Sequence, residues 1–246
     1  MQPLTNAEVV SLWESAAPRT AAERALALVA AAAPSAGVDA LARLSIGQRD
    51  LRLMELRAAM FGQRLELVGD CAACGAPFEV ATRIGALIAD TLRDDAAPPL
   101  ELGVDGIHLR VRLPDSTDLA AASRAADSHA AARLLFERCV LSAVGDDGTP
   151  LAVDALPSTV MDAVAARLRD ADPQAEVELA LRCPECAHEW TATFDIAAFI
   201  WSELEASAGR LLVDVHTLAR AYGWRERDIL AMTSRRRQAY LDLIAG

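Results

Sequence analysis

Four of the five cysteines fall in two short knuckles, Cys71-Ala72-Ala73-Cys74 and Cys183-Pro184-Glu185-Cys186, 112 residues apart. Two Cys-x-x-Cys pairs supply four thiolates, the ligand set of one tetrahedral Zn²⁺ with Zn–S bonds of roughly 2.3 Å. Such a site is closed. Four sulfurs leave no position for water or substrate, so the expected chemistry is structural, not catalytic. The metal would join two hairpins far apart in the chain and would stabilise folding directly. Free thiols or disulfides are the competing reading. Paired spacing argues against it, and residues 1–6 lack the charged-then-apolar pattern of an export signal. His188 lies two residues beyond Cys186 and could compete as a ligand, but the sulfurs already fill the tetrahedron, so it is expected on the knuckle surface. In many knuckles a glycine follows the second cysteine, where the chain turns with positive φ. Gly75 obeys this; Ala187 does not, which predicts mild strain or a different turn.

The remaining candidates for chemistry are scattered. His108, His129 and His216 sit in separate segments, none in an HExxH pattern or beside a serine nucleophile elbow. Cys139 lies within an apolar run and is expected as a buried small hydrophobe. All 24 basic residues are arginine, so a P-loop lysine and a Schiff-base amine are both excluded. The net charge of −11 argues against a phosphate-binding surface. The tail, with Arg225, Arg227, Arg235, Arg236, Arg237 and a Gly223-Trp224 break, could pass for a helix-turn-helix. A zinc-ribbon nucleic-acid regulator is therefore the alternative function. However, residues 205–246 hold seven arginines against five acids, a net of only +2. A solvated face, or one docking an acidic partner, fits that balance better. No membrane span is expected, since the alanine-rich stretch 25–33 is too short to cross a bilayer.

The elements that must position the cysteines repeat along with them. Glu66-Leu67 precedes the first knuckle and Glu178-Leu179 the second; Phe78 matches Trp190; Ile84, Ala86 and Ile88 recur as Ile196, Ala198 and Ile200. Residues 66–88 and 178–200 thus align without a gap as strand, knuckle, strand, helix start. Before them, residues 5–62 read as helical, with capping boxes at Thr5/Glu8, Thr20/Glu23 and Ser45/Gln48. The third opens a helix over 48–61, apolar at Leu51, Met54, Leu56 and Met60 and polar at Arg49, Arg52 and Arg57, that Gly62 should end. A short helix is expected over 84–92 and a linker over 94–99. A hairpin is expected over 100–113 around a type I′ turn at Asp105-Gly106. Helix is expected over 116–143, 158–170 and 196–206, with two or three more helical pieces over 210–246. The fold class is α+β, mostly helical, with a split Cys₄ zinc ribbon built from two knuckle hairpins plus one further hairpin. The expected organisation is an N-terminal helical segment 1–63, a split ribbon core 64–200 holding an insert 89–176, and a C-terminal helical module 201–246.

In this order of segments the chain resembles a known family. Three stretches carry the likeness. The first is Leu44-Ser45-Ile46-Gly47-Gln48-Arg49-Asp50 running through Phe61-Gly62 into the first knuckle. The second is Leu109-Arg110-Val111-Arg112-Leu113-Pro114-Asp115-Ser116-Thr117-Asp118-Leu119. The third is the second knuckle, followed by Asp214-Val215-His216-Thr217-Leu218-Ala219 and Tyr222-Gly223-Trp224-Arg225-Glu226-Arg227-Asp228-Ile229-Leu230. They are similar to the baseplate-hub assembly chaperones of contractile-tailed phages of the T-even type, and to their relatives in extracellular contractile injection systems. The resemblance implies a non-enzymatic part in building or completing a baseplate or hub. It also implies hub, spike or tape-measure proteins as partners, and a place in the bacterial cytoplasm or in the assembled particle.

Overall fold

The computed structural model describes residues 1–89 and 98–246. Four helices open the chain: α1 Asn6–Ala16, α2 Ala21–Ala32, α3 Val38–Ala42 and α4 Ile46–Phe61. All three expected capping boxes form, at Thr5/Glu8, Thr20/Glu23 and Ser45/Gln48. Each satisfies backbone N–H groups that a helix start would otherwise leave unpaired. Gly62 ends α4 with φ +89°, as expected.

The first knuckle hairpin follows as β1 Arg64–Asp70 and β2 Pro77–Arg83, and the second as β6 Val177–Arg182 and β7 Glu189–Phe194. Between them lies the insert. Its strands β3 Leu100–Val104 and β4 Ile107–Val111 form the expected hairpin, with Asp105 at φ +51° and Gly106 at +76° making the turn.

Three expectations need correction. Residues 116–143 are not one helix. They form α5 Ser116–Ala122, α6 Ser128–Cys139 and then β5 Val140–Gly145, a third strand alongside β4. Asp127 caps a fresh helix start, and Val140 and Ala143 are buried against the sheet's own core, so tertiary pairing overrides the helical reading there. Within the described part of 84–92 there is only a 3₁₀ turn, Ile84–Ala86, and most of the expected linker at 94–99 lies outside the described residues. The helix expected over 196–206 continues as α8 Ile196–Tyr222, through position 201 and through Gly209. Its buried stripe of Ile200, Leu204, Ala208, Leu211 and Leu218 recurs every three, four or seven residues, and that burial holds the helix across the glycine. α7 Ser158–Ala171, α9 Glu226–Leu230 and α10 Ser234–Ala245 complete the chain.

Two hydrophobic cores result. The larger gathers Val10 of α1, Leu28 and Val29 of α2, Leu53 and Leu56 of α4, and Ile200 and Leu204 of α8 around the bases of both knuckle hairpins, where Leu65, Ile84, Phe194 and Ile196 enter it. The smaller lies inside the insert, with Leu109, Val111, Phe136, Ala143, Val160 and Val164 buried together. No helix among the described residues is long and apolar enough to cross a membrane.

The start of α4 locks the insert to the helical body. Ile46 N–H donates to the Pro114 carbonyl at 3.3 Å, and Gly47 N–H donates to the Asp172 carboxylate at 2.9 Å. Gln174, buried beside it, accepts from Ala89 N–H at 2.8 Å and donates to the Leu87 carbonyl at 3.2 Å. On the insert side, Asp118 is fully buried and receives Arg112 in two bonds, at 2.6 and 2.9 Å, Arg138 at 2.7 Å and Asp115 N–H at 3.0 Å. Burial would push its carboxyl up. Arg112, the Asp115 N–H and Arg138 outweigh that and hold it below the usual carboxylate range.

Candidate metal centre

The two knuckle hairpins are the same object built twice. Leu67 faces Val80 in β1–β2, and Leu179 faces Ala192 at the equivalent place in β6–β7. At each tip the first cysteine's N–H donates back across the turn, Cys71 to the Ala76 carbonyl and Cys183 to the His188 carbonyl, both at 2.9 Å. The residue after the second cysteine then donates to the first cysteine's carbonyl, Gly75 at 2.8 Å and Ala187 at 3.0 Å. Both turns need a left-handed residue there. Gly75 sits at φ +72° and Ala187 at +59°, so the second knuckle keeps the same turn and carries the strain an alanine brings to it.

The tips bring all four knuckle cysteines together, with their sulfurs within 4.8 Å of one another. Cys71 Sγ is 3.7 Å from Cys186 Sγ, and Cys74 Sγ is 3.7 Å from Cys183 Sγ. These pairings are exchanged into each other when the two copies are swapped, as a local two-fold relation requires. A tetrahedron with metal–sulfur bonds of ~2.3 Å has edges of ~3.8 Å, so the cluster fits one ion on the local axis. The same separations are far too long for disulfides, whose S–S bond is about 2.05 Å. In each knuckle the first cysteine is buried and the second exposed.

The thiols also compete for protons in a way that suits a cation. Burial pushes Cys71 up, but the N–H groups of Cys74 and Ala73 and the thiols of Cys183 and Cys186 draw it down to about 6. Beside that thiolate, the Cys74 and Cys186 thiols are both raised. Cys74 is pushed up to about 12: the Ala76 backbone favours its thiolate, but Cys186, burial, Cys183 and Cys71 oppose it more strongly. Cys186 is raised as well, against its backbone contact at His188 and its bond with Cys74. Four thiolates this close would need a positive charge among them, which a divalent metal that accepts soft ligands would supply.

Packing around the sulfurs follows the same symmetry. Phe78 and Trp190, equivalent in the repeat, meet edge-to-face with centroids 5.2 Å apart. His188 stacks on Trp190 at 5.6 Å and lies outside the sulfur cluster, on the exposed surface where it was expected. His108 pairs with Asp146 at 3.0 Å in the insert, while His129 and His216 are exposed on other elements, so the structure brings no histidines together among the described residues. Cys139 is buried, and desolvation pushes its thiol up to about 12.

Sequence reasoning missed what holds the hairpins to the body. Arg49 and Arg57 were expected on a polar face; both are buried. Arg57 donates to the Glu203 carboxylate at 2.7 and 2.9 Å and to the Gly62 and Arg64 carbonyls at 2.6 Å each, so it ties α4 and the root of β1 to α8. Arg49 donates to Asp50 at 2.7 Å. Burial raises the Asp50 carboxyl to about 6 despite that partner, with Asp195 and Asp172 adding to the rise. The signal for Arg57 lay in its place among the apolar residues of α4's last turns, where a cation must find a partner to be buried.

An α+β chain with two repeated hairpins and a helical body thus gathers four cysteine sulfurs in one place, an arrangement consistent with a metal site. The family described as T4 bacteriophage base plate protein matches residues 2–201. The chain belongs to that family and is a phage baseplate-related protein. No curated protein and no solved structure matches it. The matched region contains both knuckles, the insert and the α4 junction, and it ends inside α8.

Proposed function

We propose that the chain is a non-enzymatic assembly factor or accessory component of the baseplate hub in a phage-tail-like contractile machine, its two knuckles clamped by one structural Zn²⁺ held by Cys71, Cys74, Cys183 and Cys186. The observation that carries this reading is the family match over residues 2–201, a region that includes the four-sulfur cluster. The zinc would fix two distant hairpins as one rigid surface. The partners are the hub, spike or tape-measure proteins of the same particle. Co-expression with each, followed by pull-down from the zinc-loaded lysate, tests it. A stable complex with at least one is expected; no association, either with isolated subunits or in the assembled particle, would sink the reading.

A further inference from the structure

The C-terminal helices, on the part of the chain beyond the family match, leave apolar and aromatic side chains at the surface. α10 has twelve residues and buries one side chain, Arg237, which pairs with Asp214 of α8 at 2.7 Å. A helix held by a salt bridge and not by an apolar stripe leaves its apolar residues outside. Leu243 is 73 % exposed and Ile244 39 %. Three and four positions before them, Tyr240 on the same side of α10 meets Tyr222 and Trp224 edge-on, at 5.8 and 4.8 Å. Tyr222 and Trp224 stack at 4.5 Å across Gly223, whose left-handed φ of +69° turns the chain there, and Tyr222 remains 40 % exposed. The result is an apolar ledge of aromatic rings and aliphatic side chains at the protein surface.

Its rim is rich in arginine, with Glu226, Asp228 and Asp242 exposed among the arginines. Arg236 lies over the Tyr240 ring at 5.8 Å, and Arg220, Arg225 and Arg235 are exposed with no ion pair among the described residues. Residues 205–246 carry +2 of a total of −11, so the rest of the chain carries −13. Partly exposed tyrosine and tryptophan rings beside exposed arginines are the composition of interface hot spots.

Resting on the function proposed above, we infer that the ledge formed by Tyr222, Trp224, Tyr240, Leu243 and Ile244 docks an acidic, apolar-anchored segment of another baseplate subunit. The charge complementarity selects that occupant, and the rings provide its anchor.

The test uses the full zinc-loaded chain, co-expressed with the hub, spike and tape-measure proteins. Two variants are compared with the native chain: Leu243→Glu with Ile244→Glu, and Arg225→Glu with Arg236→Glu. Both should lower recovery of the native complex by about tenfold or more, with zinc content unchanged. The native complex should also weaken as salt is raised. If the native chain binds and both variants bind equally well, the docking face is wrong and the assembly role stands. If the native chain binds none of the three, the assembly role fails and this inference fails with it. A native self-association seen by sedimentation and lost in both variants would make a second copy the occupant and overturn the acidic-segment assignment.

Discussion

At Ala187 the backbone adopts φ +59°, where its repeat partner Gly75 adopts +72°. The same turn is therefore made once by the residue suited to it and once by one that is not. A left-handed conformation costs an L-residue roughly 1–2 kcal/mol, while glycine adds unfolded-chain entropy worth about 0.4–1 kcal/mol. The balance favours glycine. Ala187→Gly is expected to stabilise the zinc-loaded protein by about 0.5–1 kcal/mol, and Gly75→Ala to destabilise it by about the same amount. Nothing lies within 4 Å of a Cβ added at Gly75, so the second change reads backbone strain without a clash. Denaturant unfolding of both variants measures it. Equal signs for the two would mean that the knuckles do not share one turn.

Among the elements, the start of α4 bears the most on how the insert is held. Gly47 approaches the Asp172 carboxylate so closely that an added Cβ would lie 2.0 Å from Oδ1 and 2.8 Å from Cγ. Asp172 is buried and accepts the Gly47 N–H, and its short side chain has little room to withdraw. Gly47→Ala should therefore break that charge-assisted bond and destabilise the protein by about 2–3 kcal/mol, despite alanine's better helix propensity. Thermal unfolding reports it; a neutral or stabilising result would show that Asp172 can move away freely. The same junction shows where reading the sequence stops. The capping boxes, the Asp105-Gly106 turn and both knuckle hairpins were legible, because each depends on residues a few positions apart. The long α8, the strand β5 and the burial of Arg57 were not, because each is decided by a partner distant in the chain: the larger core, β4 and Glu203. The sulfur cluster was legible despite its long range, since an ungapped repeat announces that two distant segments adopt one shape.

At the scale of the whole molecule, the two cores would divide the consequences of losing a metal bound by the cysteines. The larger core takes its edge from the roots of the knuckle hairpins, through Leu65, Ile84, Phe194 and Ile196, while the insert's core includes none of them. Each hairpin is a separate two-stranded sheet, a form that is marginal in water without further support. Across their tips, the sulfur cluster and the Phe78–Trp190 contact link them. Native mass spectrometry should find one zinc ion per chain. Cys74→Ser or Cys186→Ser should lose that ion and lower stability by at least ~3 kcal/mol, a fall in melting temperature on the order of 10 °C for a chain of this size. Hydrogen exchange after chelation separates the two cores. Protection should disappear first from β1, β2, β6 and β7 and persist in β3, β4 and β5, because the insert's sheet closes its core without the metal. Full zinc retention in either serine variant, or two ions in the native chain, would show that each knuckle finds other ligands. Simultaneous loss of protection in all seven strands would show that the clamp holds the entire fold and not only its hairpin edge.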